Sequence, residues 1–426
     1  MKKRILKSAI ILMAVSIIGI SAGEVKADEE VIIIREASGD REGLQAVHIS
    51  DEDLSLWRET VSGQYASGSA DVLVDEFLTC GSDYGYRDMS KRSNSAARQY
   101  AYQKLKELCD NYTKSTQDAS SISTGRGSYQ AAGIIDLPGY RLSGYEMAEI
   151  YFTFRNDNPQ YFWLSNNVVY SDSSLVALTY DEYQSGTVRK AALQEIIKTM
   201  QEVYRAGISA GDDNYHKTLK IHDTLIADIE YSHDVTIPIS HSIAGAMTSA
   251  KSAVCEGYAK VMQLLMNCYH ISNIYITGDA GGGHAWNMVR MNDGKYYWLD
   301  ATWDDQEYEE VRHNYFLVGN QNFTDHTADV STGIGTYFLY DLPAASDEDY
   351  VYDASLPDIT KGDINADNYV TMVDLMMCLH HVSGRTELTG NAFLAADIDN
   401  DGFIKMGDLM RILHHVSGKS MLLCTP

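Results

Sequence analysis

Cys255, His284 and Asp300 follow one another within 46 residues, each in a setting that suits one role in thiol catalysis. The chain reads Val254-Cys255-Glu256-Gly257-Tyr258, then Gly283-His284-Ala285-Trp286, then Leu299-Asp300-Ala301-Thr302-Trp303. A thiol becomes a strong nucleophile when a base takes its proton, and the base needs an acceptor to fix its tautomer and orientation. A cysteine, a histidine and an aspartate can supply all three roles. Alone, Cys255 has a plainer alternative as a small core residue. Its two partners are what favour chemistry.

The elements around the trio must bring it together. Tyr258, Val261, Met262, Leu265 and Cys268 fall at helical spacing, which predicts a helix opening beside Cys255 with Ser252 as its N-cap. In the first turn the helix dipole and free backbone N–H groups favour a thiolate. His284 follows Gly281-Gly282-Gly283 and opens an alternating segment that runs to Arg290. Asn292-Asp293-Gly294 signals a hairpin, with a second aromatic strand from Lys295 to Asp300. A three-residue loop pairs Met291 with Lys295 and sets Trp286 opposite Asp300, so His284 and Asp300 become diagonal neighbours on one face. A two-residue loop would put them on opposite faces. The sequence permits the first register without forcing it.

These segments carry a family resemblance. "AVCEGYAKVMQLLM", "GGGHAWNMV" and "YYWLDATWDD" resemble the core of the transglutaminase-like superfamily, in its bacterial secreted branch. Ile221-His222-Asp223 to Ile229-Glu230-Tyr231 resembles the helix and tyrosine that precede that core. The likeness is strong over about residues 213–320 and weaker back to about residue 90. It implies Cys255 as nucleophile, His284 as base and Asp300 as orienting acid. It also implies a papain-like α+β fold, with the nucleophile helix packed on an antiparallel sheet. The reaction stays open, because the superfamily includes transamidating enzymes, proteases and members with no demonstrated chemistry.

The last 65 residues hold a duplication. Asp363, Asn365, Asp367, Tyr369, Thr371 and Asp374 occupy positions 1, 3, 5, 7, 9 and 12 of one loop. Asp397, Asp399, Asp401, Phe403 and Asp408 occupy positions 1, 3, 5, 7 and 12 of a copy offset by 34 residues. Oxygen donors at that spacing, position 7 through its backbone carbonyl, suit a hard cation such as Ca2+, giving two expected sites. Each loop runs into a helix with Leu375, Met376 and Leu379, or Leu409, Met410 and Leu413, along one face. Asn368 stands at position 6, where glycine is usual, and asparagine enters the left-handed region readily. Lys405 at position 9 replaces an oxygen donor, which predicts a weaker second site.

The duplication resembles a type I dockerin. That resemblance implies calcium-dependent attachment to a cohesin module on a scaffold protein of a cellulosome-type complex. It also implies partner contacts at Met372-Val373 and Met406-Gly407. The pairs His380-His381 and His414-His415 read as partner-facing or surface residues, since adjacent helical positions diverge by about 100°.

Lys2, Lys3, Arg4 and Lys7 precede an apolar run from Ala9 to Ile20, the pattern of a secretory signal. Val25-Lys26-Ala27 offers a cleavage site, and no membrane span is expected after its removal. Removing residues 1–27 takes away five basic groups and Glu24, and moves the formal charge from −25 to −29. So acidic a chain is a poor partner for nucleic acid. Six cysteines in 426 residues do not make a disulfide scaffold, and a secreted bacterial protein without obligatory bridges is the expectation.

The chain then divides into a signal (1–27), an N-terminal region that is α+β in its second half (28–185), a transglutaminase-like domain (186–342), a linker (343–358) and a small all-α calcium-binding module (359–420). Helices are expected from about Ser95 to Asn111, Ser143 to Arg155 and Gly186 to Arg205, and a strand pair at Phe162–Tyr170 and Leu175–Tyr180. Asn158-Pro159-Gln160-Tyr161-Phe162-Trp163 reads as an aromatic packing corner. The expected function is that of a secreted, extracellular thiol enzyme acting on protein or peptide carboxamide or peptide bonds. Two rivals remain: a non-catalytic binding component of the complex, and a carbohydrate-active passenger. A glycosidase requires a carboxylate pair, and no acidic constellation here matches the specificity of the trio.

Overall fold

The computed structural model describes residues 31–34, 44–58, 61, 72–124, 127–209, 212–306, 310–329, 341–355, 359, 361–366, 369–398 and 402–417. The expected signal at 1–27 lies outside them, as do Asp367, Asn368, Asp399 and Asp401. Among the described residues, no helix is long and apolar enough to cross a membrane.

The architecture is α+β. One sheet has six strands, in the order Val31–Ile34, Leu44–His48, Leu164–Ser171, Ser174–Thr179, Gly127–Asp136 and Ser120–Thr124. Its pairs are antiparallel except Leu44–His48 with Leu164–Ser171. A second sheet of five antiparallel strands runs Phe316–Val318, Tyr296–Leu299, Gly283–Arg290, Asn273–Asp279 and Thr327–Ala328. The helix Cys255–Cys268 packs on its two central members. Glu230–Tyr231 and Ser252–Ala253 form a short parallel pair at the head of that helix.

Residues 44–85, which carry no sequence motif, supply one strand and the helices Asp51–Arg58 and Val72–Leu78. The expected helices appear as Ser95–Lys114, Gly144–Asp157 and Gly186–Thr199, the last continuing into a π-helical turn at Met200–Tyr204. Ser143 caps the second of these through a reciprocal bond with Glu146. Trp163 is fully buried, donates its indole N–H to Thr113 Oγ1 at 2.9 Å and meets Tyr112 edge-on, so its segment is a packing corner. The largest hydrophobic cluster runs from Ala46 to Leu317 without a break at 185/186, so the N-terminal region and the helix Cys255–Cys268 share one core.

Two features differ from the sequence reading. Cys80 and Cys268, 188 residues apart, form a disulfide, which corrects the expectation of a chain without bridges. Cys109, Cys255 and Cys378 are free thiols, and Cys424 lies outside the described residues. The helix expected beside Cys255 also begins at Cys255 itself. Its N-cap is Val254, which makes no side-chain cap, because Ser252 belongs to the short strand Ser252–Ala253.

A buried charge cluster anchors the head of the helix instead. Glu256 accepts from Arg155 at 3.0 Å and contacts His241 at 2.9 Å, and Lys260 binds it from one turn on. Burial alone would raise its carboxyl pKa, but Lys260, Arg155 and His241 together hold it well below the usual range. Removing the anion strands buried cations. Glu256→Ala is therefore expected to cost about 3–5 kcal/mol, read as a lower denaturation midpoint.

Candidate active site

The thiol, the imidazole and the carboxylate come from three elements with separate supports. Cys255 is the first residue of its helix, half-buried against Ala259, Tyr275 and Ala285. Gly257, two residues on, is a requirement of packing: a Cβ there would lie 2.6 Å from Ser240 O and 2.7 Å from Ala253 Cβ. The helix head can therefore press on the loop beneath it.

His284 and Asp300 are joined by the hairpin. Asn287 pairs with Leu299, Met288 with Trp298, Val289 with Tyr297 and Arg290 with Tyr296. The loop is Asn292-Asp293-Gly294, closed by Met291 N–H donating to Lys295 O at 3.0 Å, with Gly294 at φ 81°. This is the three-residue register. It sets His284 and Asp300 on one face, with Nε2 2.6 Å from Oδ2. Nε2 is engaged by Asp300, and Cys255 lies near enough to this pair to contribute to the raised pKa of His284. Tyr231 lies close enough to feel the charges of both Cys255 and Asp300, and burial first, then those charges, raise its pKa to about 12.

Asp300 is completely buried in its side chain and is the N-cap of the short helix Ala301–Asp304. Its Oδ1 accepts from Thr302 N–H at 2.9 Å and Trp303 N–H at 3.2 Å. Burial opposes its charge, but the imidazoles of His284 and His326 outweigh that and hold its pKa down to about 2. For His284 burial likewise opposes the charged form, and the Asp300 charge and hydrogen bond, with contributions from Cys255, raise its pKa to about 10.

The signs fix a pH window. His284, raised from an ordinary 6.5, adds stability that is full below 6.5 and is lost as pH rises through about 10. Asp300, lowered from 3.8, adds stability that is present above 3.8 and lost as pH falls through about 2. The stability gap between the native chain and His284→Gln should be widest between those ordinary values and narrow on either side. Denaturant titrations across pH measure it, and a gap constant with pH would contradict the pairing.

The sequence reading missed His326. Its Nε2 stands 3.0 Å from the same Asp300 Oδ2 that His284 uses. It sits in Thr324-Asp325-His326-Thr327, where no motif or periodicity marks it. His284, Asp300 and His326, and separately His222, Asp223 and His313, have the donor types for a transition metal, with donor atoms within 4.8 Å of one another. In each group two imidazoles share one carboxylate oxygen at hydrogen-bond distance, so a proton at each contact satisfies them.

In the C-terminal region the carboxylates at the first and last loop positions are buried in both copies: Asp363 and Asp374, Asp397 and Asp408. Asp374 accepts from the N–H groups of Ile364, Asn365 and Thr371, and Asp408 from those of Ile398 and Lys405. Thr371 Oγ1 caps the helix Met372–Val382 by accepting from Val373 N–H. Tyr369 and Phe403, at position 7 of each loop, have solvent-exposed side chains. Paired buried carboxylates with further oxygen donors fit a hard cation. Met372, Val373, Met406 and Gly407 are all exposed, at matching places on the two helices Met372–Val382 and Met406–Val416.

The sequence reading of those helices needs one correction. Leu375 and Leu409 face the small core with Cys378 and Ile412, whereas Met376, Leu379, Met410 and Leu413 are solvent-exposed. The apolar stripe therefore splits between two faces. His381 accepts from Leu388 N–H through Nδ1 at 2.9 Å, so it helps fold the module rather than facing only outward.

Comparison with known proteins follows the same division. Residues 201–301 match the family model described as the transglutaminase-like superfamily, and residues 361–417 match that of the dockerin type I domain. No curated protein matches the chain. A solved structure titled "Crystal structure of a TGase" aligns at 13% identity over 34% of this chain and 44% of its own, with a TM-score of 0.25. The chain thus spans less than half of that protein, and so slight a likeness carries no argument. The chain joins a transglutaminase-like core at 201–301 to a type I dockerin region at 361–417.

Proposed function

We propose that the chain is a secreted thiol acyltransferase or peptidase of transglutaminase-like type, carried on a dockerin to a cohesin-bearing scaffold. The observation that carries this reading is the 2.6 Å contact between His284 and Asp300, with Cys255 at a helix start and packed against Ala285, the neighbour of His284. Cys255 Sγ adds to the carbonyl carbon of a carboxamide or peptide bond. His284 passes the thiol proton to the departing ammonia or amine, and a thioester remains. A lysine amine that resolves the thioester gives a crosslink, and water gives the acid. Asp300 keeps the imidazole oriented and compensates its charge.

Ca2+ would be held by Asp363, Asn365, Thr371 and Asp374 with the Tyr369 carbonyl in one loop. In the other it would be held by Asp397 and Asp408 with the Phe403 carbonyl, and Asp367, Asp399 and Asp401 complete the sets. Bound there, it neutralises carboxylates that otherwise repel one another. The exposed Met372, Val373, Met406 and Gly407 offer two similar faces to a cohesin.

The reading is tested by alkylation. With iodoacetamide at neutral pH, the Cys255 peptide is expected to be modified well before those of the buried thiols Cys109 and Cys378. Equal rates at all three would contradict a reactive thiol and favour a non-catalytic component.

A further inference from the structure

Asp300 makes more contacts than a two-partner arrangement requires. One oxygen is committed to the Thr302 and Trp303 N–H groups, and the other meets His284 at 2.6 Å and His326 at 3.0 Å. We infer that His326 is a positioning residue that holds the Asp300 carboxylate where Oδ2 meets His284, so that Cys255, His284, Asp300 and His326 form one line. The inference rests on the thiol-enzyme reading above and adds a fourth member to it.

The surroundings of His326 are built for holding. Its side chain is completely buried, its ring stacks on Phe323 at 4.0 Å and 17°, and Trp303 lies 4.4 Å away. Its second nitrogen, Nδ1, meets Asp325 Oδ1 at 2.7 Å, and Asp325 Oδ2 accepts from Tyr315 OH at 2.7 Å. Turning the ring in either direction loses a carboxylate contact, so the ring is fixed from both ends.

The backbone is equally committed. Thr327 and Ala328 pair with Asp279 and Gly278, and Gly278 also pairs with His284 on its other side. A Cβ at Gly278 would lie 2.2 Å from Thr327 O and 2.4 Å from the Trp286 ring. Glycine is therefore what admits the segment bearing His326 so close to the strands bearing His284. The competing account is that His326 is only an aromatic packing residue. The two accounts separate on substitution, because phenylalanine keeps the stack without the hydrogen bond, and glutamine keeps a donor without the stack.

The test is the pH profile of Cys255 alkylation by iodoacetamide, read by mass spectrometry on the full chain. His326→Phe is expected to move the midpoint up by about one pH unit and to cut the neutral-pH rate about tenfold, whereas His326→Gln stays within about threefold of native. Asp325→Asn, at a half-exposed position that should fold, is expected to shift the profile the same way by about half as much. It decides the matter if the phenylalanine variant does not fold. His284→Ala in parallel separates the two ideas. An unchanged profile in His284→Ala would overturn the thiol-enzyme reading and this inference with it. A shifted profile there, with native profiles in the His326→Phe and Asp325→Asn variants, would overturn the inference alone. Equal losses in His326→Phe and His326→Gln with a native Asp325→Asn would show packing rather than positioning, and would also overturn it.

Discussion

Cys255→Ala is expected to lower turnover on a carboxamide or peptide substrate by about 10⁴-fold or more, with the unfolding transition nearly unchanged. The large loss follows because no other described thiol can substitute. Cys109 and Cys378 are buried, and Cys80 and Cys268 are bonded to each other. The small structural effect follows from half-burial against Ala259, Tyr275 and Ala285, where losing one sulfur costs about 1 kcal/mol. Asp300→Asn should follow the same pattern at about 10²–10⁴-fold, since the amide keeps the shape but not the charge that orients His284. Substrate concentration dependence separates chemistry from binding: kcat should fall while KM holds. Retained kcat in Cys255→Ala would place the chemistry elsewhere.

The second large effect is expected in the dockerin region. Excess chelator should unfold the helices Met372–Val382 and Met406–Val416 while the two sheets stay protected. Four buried carboxylates in so small a module need compensation, and its core is the short cluster around Leu375, Cys378, Leu409 and Ile412. Cation binding then appears as folding free energy, about 4 kcal/mol at a thousandfold excess over Kd. Asp363→Ala should weaken this far more than the exposed change Glu387→Ala. Lys405, whose ammonium lies over the Phe403 ring at 4.6 Å, should leave the second loop the weaker one. Hydrogen exchange on the full chain with and without calcium measures both effects. Equal protection of residues 361–417 in chelator would contradict the mechanism.

The site was legible in sequence where local chemistry decides geometry. Asn292-Asp293-Gly294 signals a hairpin with a left-handed residue at Gly294, and of the two registers the sequence permits, the three-residue loop is the one that places His284 beside Asp300. The helix from Cys255 followed from its apolar spacing. Its cap did not, because Glu256 is anchored by Arg155 and His241, about 100 residues before it and 15 before it respectively, and periodicity carries no such information. His326 was invisible for the same reason. Its place depends on Gly278 admitting a neighbouring strand, a contact between segments 48 residues apart in sequence. Cys80 and Cys268 are joined only by the shared core of the two halves, which composition could not reveal. In the repeat, spacing located the loops, but which side of each helix turns inward depended on how the two copies pack together, and Met376 and Met410 proved to be outside.

The most direct test of the central claim is a search for the acyl-enzyme. The full chain is incubated with a glutamine-containing peptide, quenched in acid and digested for mass spectrometry. The account predicts that the Cys255 peptide gains an acyl group, either the whole peptide less ammonia or its N-terminal part after cleavage, and that His284→Ala abolishes it. A substrate turned over by the chain with no adduct at Cys255, or with one at another residue, would contradict it.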